Sequence, residues 1–231
     1  MIRQKLSERI LPNYTKGEEI FNMVSHIVGG AAGIASLVLC VIFAAIHKNV
    51  YGVVSSAIYG ASIIILYTMS SIYHGLNPHL TAKKVFQIID HCSIFLLIAG
   101  SYTPISLCAL REFDEKTCWI VLSLVWAAAI LGIVLNAIDI KKFKVFSGIC
   151  YLLMGWGIVF AYKALPFLIA RGGTLLLLFG GISYTIGAMV YYLFKKRKYM
   201  HSIFHLFVLA GSILHMLYIM LYIVWKTPSI K

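Results

Sequence analysis

Long apolar runs separated by short polar punctuation dominate the chain. After a polar, basic opening segment (1–20) that closes on Glu18-Glu19, seven apolar segments follow, near 21–46, 51–75, 85–110, 117–137, 145–164, 167–194 and 201–225. Each is long enough, as a helix, to cross the ~30 Å hydrocarbon core of a bilayer. No internal repeat, low-complexity tract or soluble domain interrupts them. The pattern predicts an all-α integral membrane protein, with residues 21–231 forming a single seven-transmembrane helix bundle behind an N-terminal segment of residues 1–20.

Composition narrows the class further. Of 231 residues 61% are hydrophobic and 12% charged, more apolar surface than a soluble domain of this size can hide. The net charge of +12 raises nucleic acid as a partner, but the basic residues sit in short clusters between apolar spans. That placement is the one expected from the positive-inside rule and anionic headgroups, so no nucleic-acid partner is expected. Counted on alternating sides, 13 of the 20 Lys+Arg fall on the side of the N-terminus and 7 on the other. The bias predicts a cytoplasmic N-terminus and an outside C-terminus, the reverse of rhodopsin-type receptors. Five cysteines (Cys40, Cys92, Cys108, Cys118, Cys150) form no C-x-x-C and read as small core residues. The polar opening is too long, and too poor in small residues, for a cleaved signal peptide, so the first span should act as an uncleaved anchor.

Against this background the polar residues inside the spans stand out. His201 and His205, in the seventh span, lie one helical turn apart on one face, a spacing at which two imidazoles can share an ion. Ionisable side chains inside a membrane helix are costly and mark a functional interior. With the predicted orientation, Ser70 and His74 fall at the cytoplasmic end of span two, Asp90 a turn or two into span three, and His205 roughly 6 Å deeper than His201. All five share a slab on the order of 10 Å thick. His74, His201 and His205 then supply three imidazole ligands, the usual number at a catalytic Zn²⁺ site with an open fourth position. Asp90 would orient a ligand or the bound water, or accept a proton from it, and Ser70 would steady a developing oxyanion. Bound Zn²⁺ brings the pKa of its water near ~7. Copper, nickel and iron also accept imidazole, and zinc is favoured on availability. The alternative is that these residues are hydrogen-bonding glue between helices.

Other polar positions carry less. Asn22 and His26 either line an entrance or cap and anchor span one. His91 points away from Asp90 and reads as packing. His215, about 15 Å deeper than His205, is too far for the same ion and should hydrogen-bond locally. His47 and His79 read as loop residues. Pro104 should kink span three, with Ser101 or Thr103 satisfying freed carbonyls. Gly155-Trp156-Gly157 and Gly180-Gly181 should allow close helix approach.

Several of these motifs together resemble a known family. Glu18-Glu19-x-x-Asn22-x-x-Ser25-His26-x-x-Gly29, Ser70-x-x-x-His74, Asp90-His91, Gly100-x-Tyr102-Thr103-Pro104, Tyr151 with Gly155-Trp156, and His201-x-x-x-His205 with Gly211-Ser212 and His215 are similar to the hemolysin III (TrhA-type) proteins. These form the bacterial branch of the progestin and adiponectin receptor (PAQR) family. Ser25 stands where Thr is frequent, and Phe204 where an aromatic that is often Trp is expected. The resemblance implies a multi-pass protein of the bacterial cell membrane with a cytoplasmic N-terminus. It also implies Zn²⁺ held by His74, His201 and His205, with Asp90 and Ser70 in support. The wider superfamily is similar to alkaline ceramidases, which implies hydrolysis of a lipid amide. The family association is with membrane lipid and fluidity homeostasis, and with haemolysis.

Three functions compete at this point. One is a zinc-dependent intramembrane hydrolase of a lipid amide or ester, with a membrane lipid as partner. Another is a haemolytic pore former, disfavoured because pore formers are usually secreted and soluble. The third is a receptor-like sensor with a structural metal, for which the short loops leave no obvious docking domain. The oligomeric state is left open.

Overall fold

A computed structural model describes residues 6, 9–194 and 197–225. Arg3, Lys5, Lys195, Lys196, Lys226 and Lys231, which enter the charge count, lie outside the described residues. The described chain is all-helical. Helix α1 spans Lys16–Ile46, α2 Val50–Gly75, α3 Thr81–Pro104, α4 Glu115–Asp139, α5 Lys144–Gly155, α6 Leu165–Arg171, α7 Thr174–Phe194 and α8 Met200–Tyr218. Wide π turns extend α3 through Ile105–Leu110 and α8 through Ile219–Val224. Six of the resulting helices are long and apolar enough to cross a membrane.

Polar residues at the boundaries start the helices where they do. Thr15 and Glu18 cap α1 reciprocally: the Glu18 amide donates to Thr15 Oγ1 at 3.3 Å and the Thr15 amide to Glu18 Oε2 at 2.8 Å. Helix α1 therefore begins at Lys16 rather than at 21, and Glu18 and Glu19 occupy its first turn. Asn49 and Asp114 cap α2 and α4 through the amides of Gly52 and Thr117.

Helix α1 is inside out by the standards of a soluble protein. Asn22, Ser25, His26, Gly29, Gly33 and Ser36 are buried, while Val24, Ile27, Val28, Ile34 and Val38 are each about half exposed. Water would not tolerate such a surface; lipid does, and small or polar residues then make the helix contacts. Around the bundle α1 packs on α2 and α8, α2 on α3, α3 on α4, and α7 on α8. Helix α3 is the central one, with 78% of its most apolar window buried against 17% for α4 and 11% for α7.

The expected fifth span, 145–164, is not one continuous helix. Helix α5 stops at Gly155, and tight 3₁₀ turns over Gly157–Phe160 and Tyr162–Ala164 lead into the short α6, whose first turn holds Pro166. One hydroxyl from α3 stabilises the break: Tyr102 Oη donates to the Met154 carbonyl at 2.8 Å and accepts the Ile158 amide at 2.7 Å. The Trp156 indole N–H donates to Thr185 Oγ1 at 3.0 Å. The expected sixth span is also divided, because Gly172 and Gly173 turn the chain at φ of 91° and 72°. In α3, Ser101 and Thr103 donate to the Ile98 and Ala99 carbonyls, and the helix widens into its π turn after Pro104.

Two glycine expectations part company. Gly180 lies against the His215 ring, and a methyl group there would also come within 3.3 Å of the Gly211 carbonyl. Gly155 faces open space instead, with nothing within 4 Å of such a methyl. Gly180→Ala should therefore cost about 1–3 kcal/mol by overpacking the α7–α8 seam, whereas Gly155→Ala should be nearly silent. Melting temperatures in detergent would check the contrast, and equal melting of the two variants would refute it.

Candidate metal centre

The seventh-span histidines are positioned by a bond made at the start of α8. Tyr199 there adopts the left-handed conformation, φ 60°, which costs a residue with a Cβ roughly 1 kcal/mol. Its amide donates to Glu18 Oε1 at 2.7 Å, tying the first turn of α8 to the first turn of α1. From that fixed start, His201 and His205 project one above the other, with their Nε2 atoms 3.0 Å apart. Tyr14 stacks on the outer face of His201, ring centroids 4.9 Å apart and 16° from parallel. Burial pushes the Tyr14 phenol well above its ordinary pKa, so it stays neutral over the imidazole.

His74 arrives from the end of α2. Its ring centroid is 5.3 Å from that of His201 and 5.0 Å from that of His205. One nitrogen from each of the three histidines falls within 4.8 Å of the others, close enough to hold one metal ion. Their remaining bonding supports that reading. His74 Nδ1 is 2.6 Å from Glu19 Oε2, which leaves Nε2 buried and without a protein partner. The Nδ1 atoms of His201 and His205 are likewise buried and unpartnered. Buried imidazole nitrogens without partners are costly, and an ion bound through any of them would remove part of that cost.

Glu19 is the residue that sequence reasoning passed over. Its second oxygen accepts from Lys83 Nζ at 2.8 Å, and that ammonium also donates to the carbonyls of Leu76 at 2.9 Å and His74 at 3.4 Å. Lys83 is 1% exposed, so a side chain counted as loop charge is a buried member of the site's frame. A carboxylate on the far nitrogen of a ligand histidine fixes its tautomer and raises its basicity. A signal for Glu19 was present. Glu19, Asn22 and His26 recur at helical spacing on an otherwise apolar helix, which puts them on one face.

Other candidates are placed as follows. His26 stacks on His205, ring centroids 3.8 Å apart, and both of its nitrogens are buried without a partner. Asn22 Nδ2 is 3.5 Å from His74 Nδ1. Both therefore belong to the histidine cluster rather than to an entrance or a helix cap. Ser70 is 1% exposed and its hydroxyl has no partner. Asp90 lines the same cavity as Ser70, His26, His201 and His205, and its nearest ionic neighbour is His91 Nδ1 at 3.8 Å. His91 is held by the Gln87 carbonyl at 2.9 Å, and His215 by the Leu177 carbonyl at 3.2 Å, a local bond as expected.

The cavity, roughly 190 Å³, runs from these residues into the bundle between α3, α5, α7 and α8. Its deeper wall is largely apolar, with Leu97, Ile105, Ile158, Leu177 and Val208 among its residues. His201 and His205, both able to ligate a metal, at the head of an apolar cavity suit a polar group on a hydrocarbon chain.

Comparison with known proteins agrees with this architecture. Residues 14–216 match the family described as haemolysin-III related. Hemolysin-3 of Bacillus cereus is 39% identical over 212 residues, which cover 92% of this chain and 94% of that protein. The Hemolysin-3 homolog of Bacillus subtilis (strain 168) is 37% identical over 218 residues, 94% of this chain and 100% of the other. Monocyte to macrophage differentiation factor of Homo sapiens is 26% identical over 178 residues, 75% of this chain and 70% of its own length.

Proposed function

The chain belongs to the haemolysin-III-related family of multi-pass membrane proteins, and from that premise we propose that it is a Zn²⁺-dependent hydrolase of an amide or ester bond in a membrane lipid. One observation carries the reading: nitrogens of His74, His201 and His205 converge within 4.8 Å, each ring keeps a buried nitrogen without a partner, and His201 and His205 line a largely apolar cavity. An all-imidazole donor set of three suits Zn²⁺ with an open position. When bound there, Zn²⁺ would supply a Lewis acid and lower the pKa of water.

The chain's own residues have separate tasks in this reading. Glu19 holds the His74 ring so that Nε2 faces the other two histidines. The Ser70 hydroxyl, buried and unpartnered, donates to the carbonyl oxygen of the scissile bond as charge builds on it. Asp90, facing the same cavity, takes the proton from the attacking water and returns it to the leaving group. The apolar wall binds the acyl chain and keeps bulk water from the reacting carbon. In the membrane the N-terminus is cytoplasmic, and the broken segment 144–171 makes the fifth of seven crossings.

Asp90→Ala tests the mechanism. Lipid turnover in proteoliposomes, followed by mass spectrometry, should fall by about 10²–10⁴-fold while the metal content stays at the wild-type level. Turnover equal to wild type would reject the role of Asp90. A protein that needs the metal for thermal stability yet changes no lipid pool would instead be a sensor with a structural metal. Dye release from plain vesicles that survives His74→Ala would point to a lytic pore.

A further inference from the structure

A second cavity, roughly 410 Å³, opens at the N-terminal end of the bundle, bounded by the stretch Pro12–Thr15 and by Lys144, Tyr191, Arg197, Lys198 and His201. It meets the inner cavity at Lys144, Tyr191 and His201, which line both. The two are consecutive chambers with His201 at their junction and His205 on the inner side.

The outer chamber carries an excess of positive charge. Lys144, Arg197 and Lys198 bring three cations, and the only carboxylate among its lining residues is that of Glu18. That carboxylate is already engaged by the amide and hydroxyl of Thr15, each at 2.8 Å, and by the Tyr199 amide at 2.7 Å. Among the described residues no carboxylate lies within ion-pair distance of the three cations. The half-buried Lys144 holds its ammonium 4.9 Å from the centre of the Tyr191 ring, at the mouth of the inner chamber. Topological signalling by positive charge explains Lys141 and Lys142, which are exposed and line neither chamber. It does not require Lys144 to be drawn into the passage to His201.

We propose that the two chambers together bind an anionic lipid, with its acyl chain in the inner chamber and its phosphate in the outer one against Lys144, Arg197 and Lys198. The lipid's carbonyl linkage then falls beside His201, between them. The assignment rests on the hydrolase reading only for which bond is broken. Phosphate is the anion of choice because its several oxygens can accept from more than one cation at once, as charge-assisted hydrogen bonds.

A matched pair of probes tests it: 1-oleoyl lysophosphatidic acid, and 1-monooleoylglycerol, which has the same chain and ester but no phosphate. Binding to the full-length protein in a non-ionic detergent is read by native mass spectrometry. The anionic probe should bind about tenfold or more tightly than the neutral one, with the advantage shrinking as salt is raised. Lys144→Gln should erase most of that preference at unchanged metal content, and Lys144→Arg should restore it. Should Lys144→Gln fail to fold, the exposed pair Arg197→Gln and Lys198→Gln carries the same expectation. Equal binding of the two probes, or a preference that survives these charge removals, overturns the proposal. Inorganic phosphate that displaces the lipid at the lipid's own concentration also overturns it, because the chain would then contribute nothing. Binding is read without turnover, so a protein that prefers the anionic probe and hydrolyses neither would sink the hydrolase reading alone.

Discussion

His205→Ala should yield a folded protein that has lost nearly all of its metal, whereas His215→Ala should keep it. The two histidines are on the same helix, His205 buried and His215 partly so, but their bonding differs. His215 spends a nitrogen on the Leu177 carbonyl at 3.2 Å, a complete local arrangement that needs no ion. His205 faces His201 through Nε2 at 3.0 Å and is one of the three residues whose nitrogens share a common point. Losing a residue that merely orients a ligand costs 10–100-fold in metal affinity, so losing the ligand itself should cost at least about 100-fold. Elemental analysis of detergent-purified protein measures this directly. Retention of a full equivalent in His205→Ala would remove the basis for the metal centre.

A second large effect is expected at Glu19, through the ammonium behind it. Glu19→Ala strips Lys83 of its carboxylate and His74 of its orienting partner in one step. Breaking a buried ion pair from one side costs 3–5 kcal/mol, because it strands the other charge in a poorly solvating place. Here the carboxylate keeps some solvent contact, at 14% exposure, and two carbonyls still accept from Lys83. The loss should therefore lie near the lower figure, about 3 kcal/mol. Adding Lys83→Met should recover part of that stability by removing the stranded charge. It should not recover metal affinity, which ought to remain about 10–100-fold weaker because His74 is still unsupported. Thermal melts together with chelator competition separate the two effects. If the double variant regained both, Glu19 would matter only as a counter-charge.

The parts of this architecture that depend on composition and local spacing could be read in the chain, and the parts that depend on what lies across the bundle could not. Long apolar runs announce membrane helices because hydropathy is a sum over a window. His201 and His205 announce a shared face because helical spacing dictates it. The break after Gly155 escapes such a reading, since a 3₁₀ turn of Gly157–Phe160 is as apolar as the helix it replaces, and its compensating hydroxyl comes from Tyr102 on another helix. Lys83 reads as one more positive charge beside Lys84 until the carboxylate from the first helix is brought to it. Asn22 and His26 fall early in the apolar run that begins near 21, where capping is the ordinary expectation, yet α1 begins at Lys16 and its cap is made by Thr15 and Glu18. That leaves the other two free for the histidine cluster.

The bond from the Tyr199 amide to Glu18 joins residues 181 positions apart in sequence, and it sets the register of the last long helix against the first. A ribosome releases the N-terminal partner long before the C-terminal one exists, so the imidazole cluster is among the last things the growing chain can complete. Until then the first two helices carry Glu19 and His74 without the other two imidazoles. In the proposed metal centre an ion would be captured only as the last long helix arrives, and a chain truncated before residue 199 would carry neither the latch nor two of the three imidazoles.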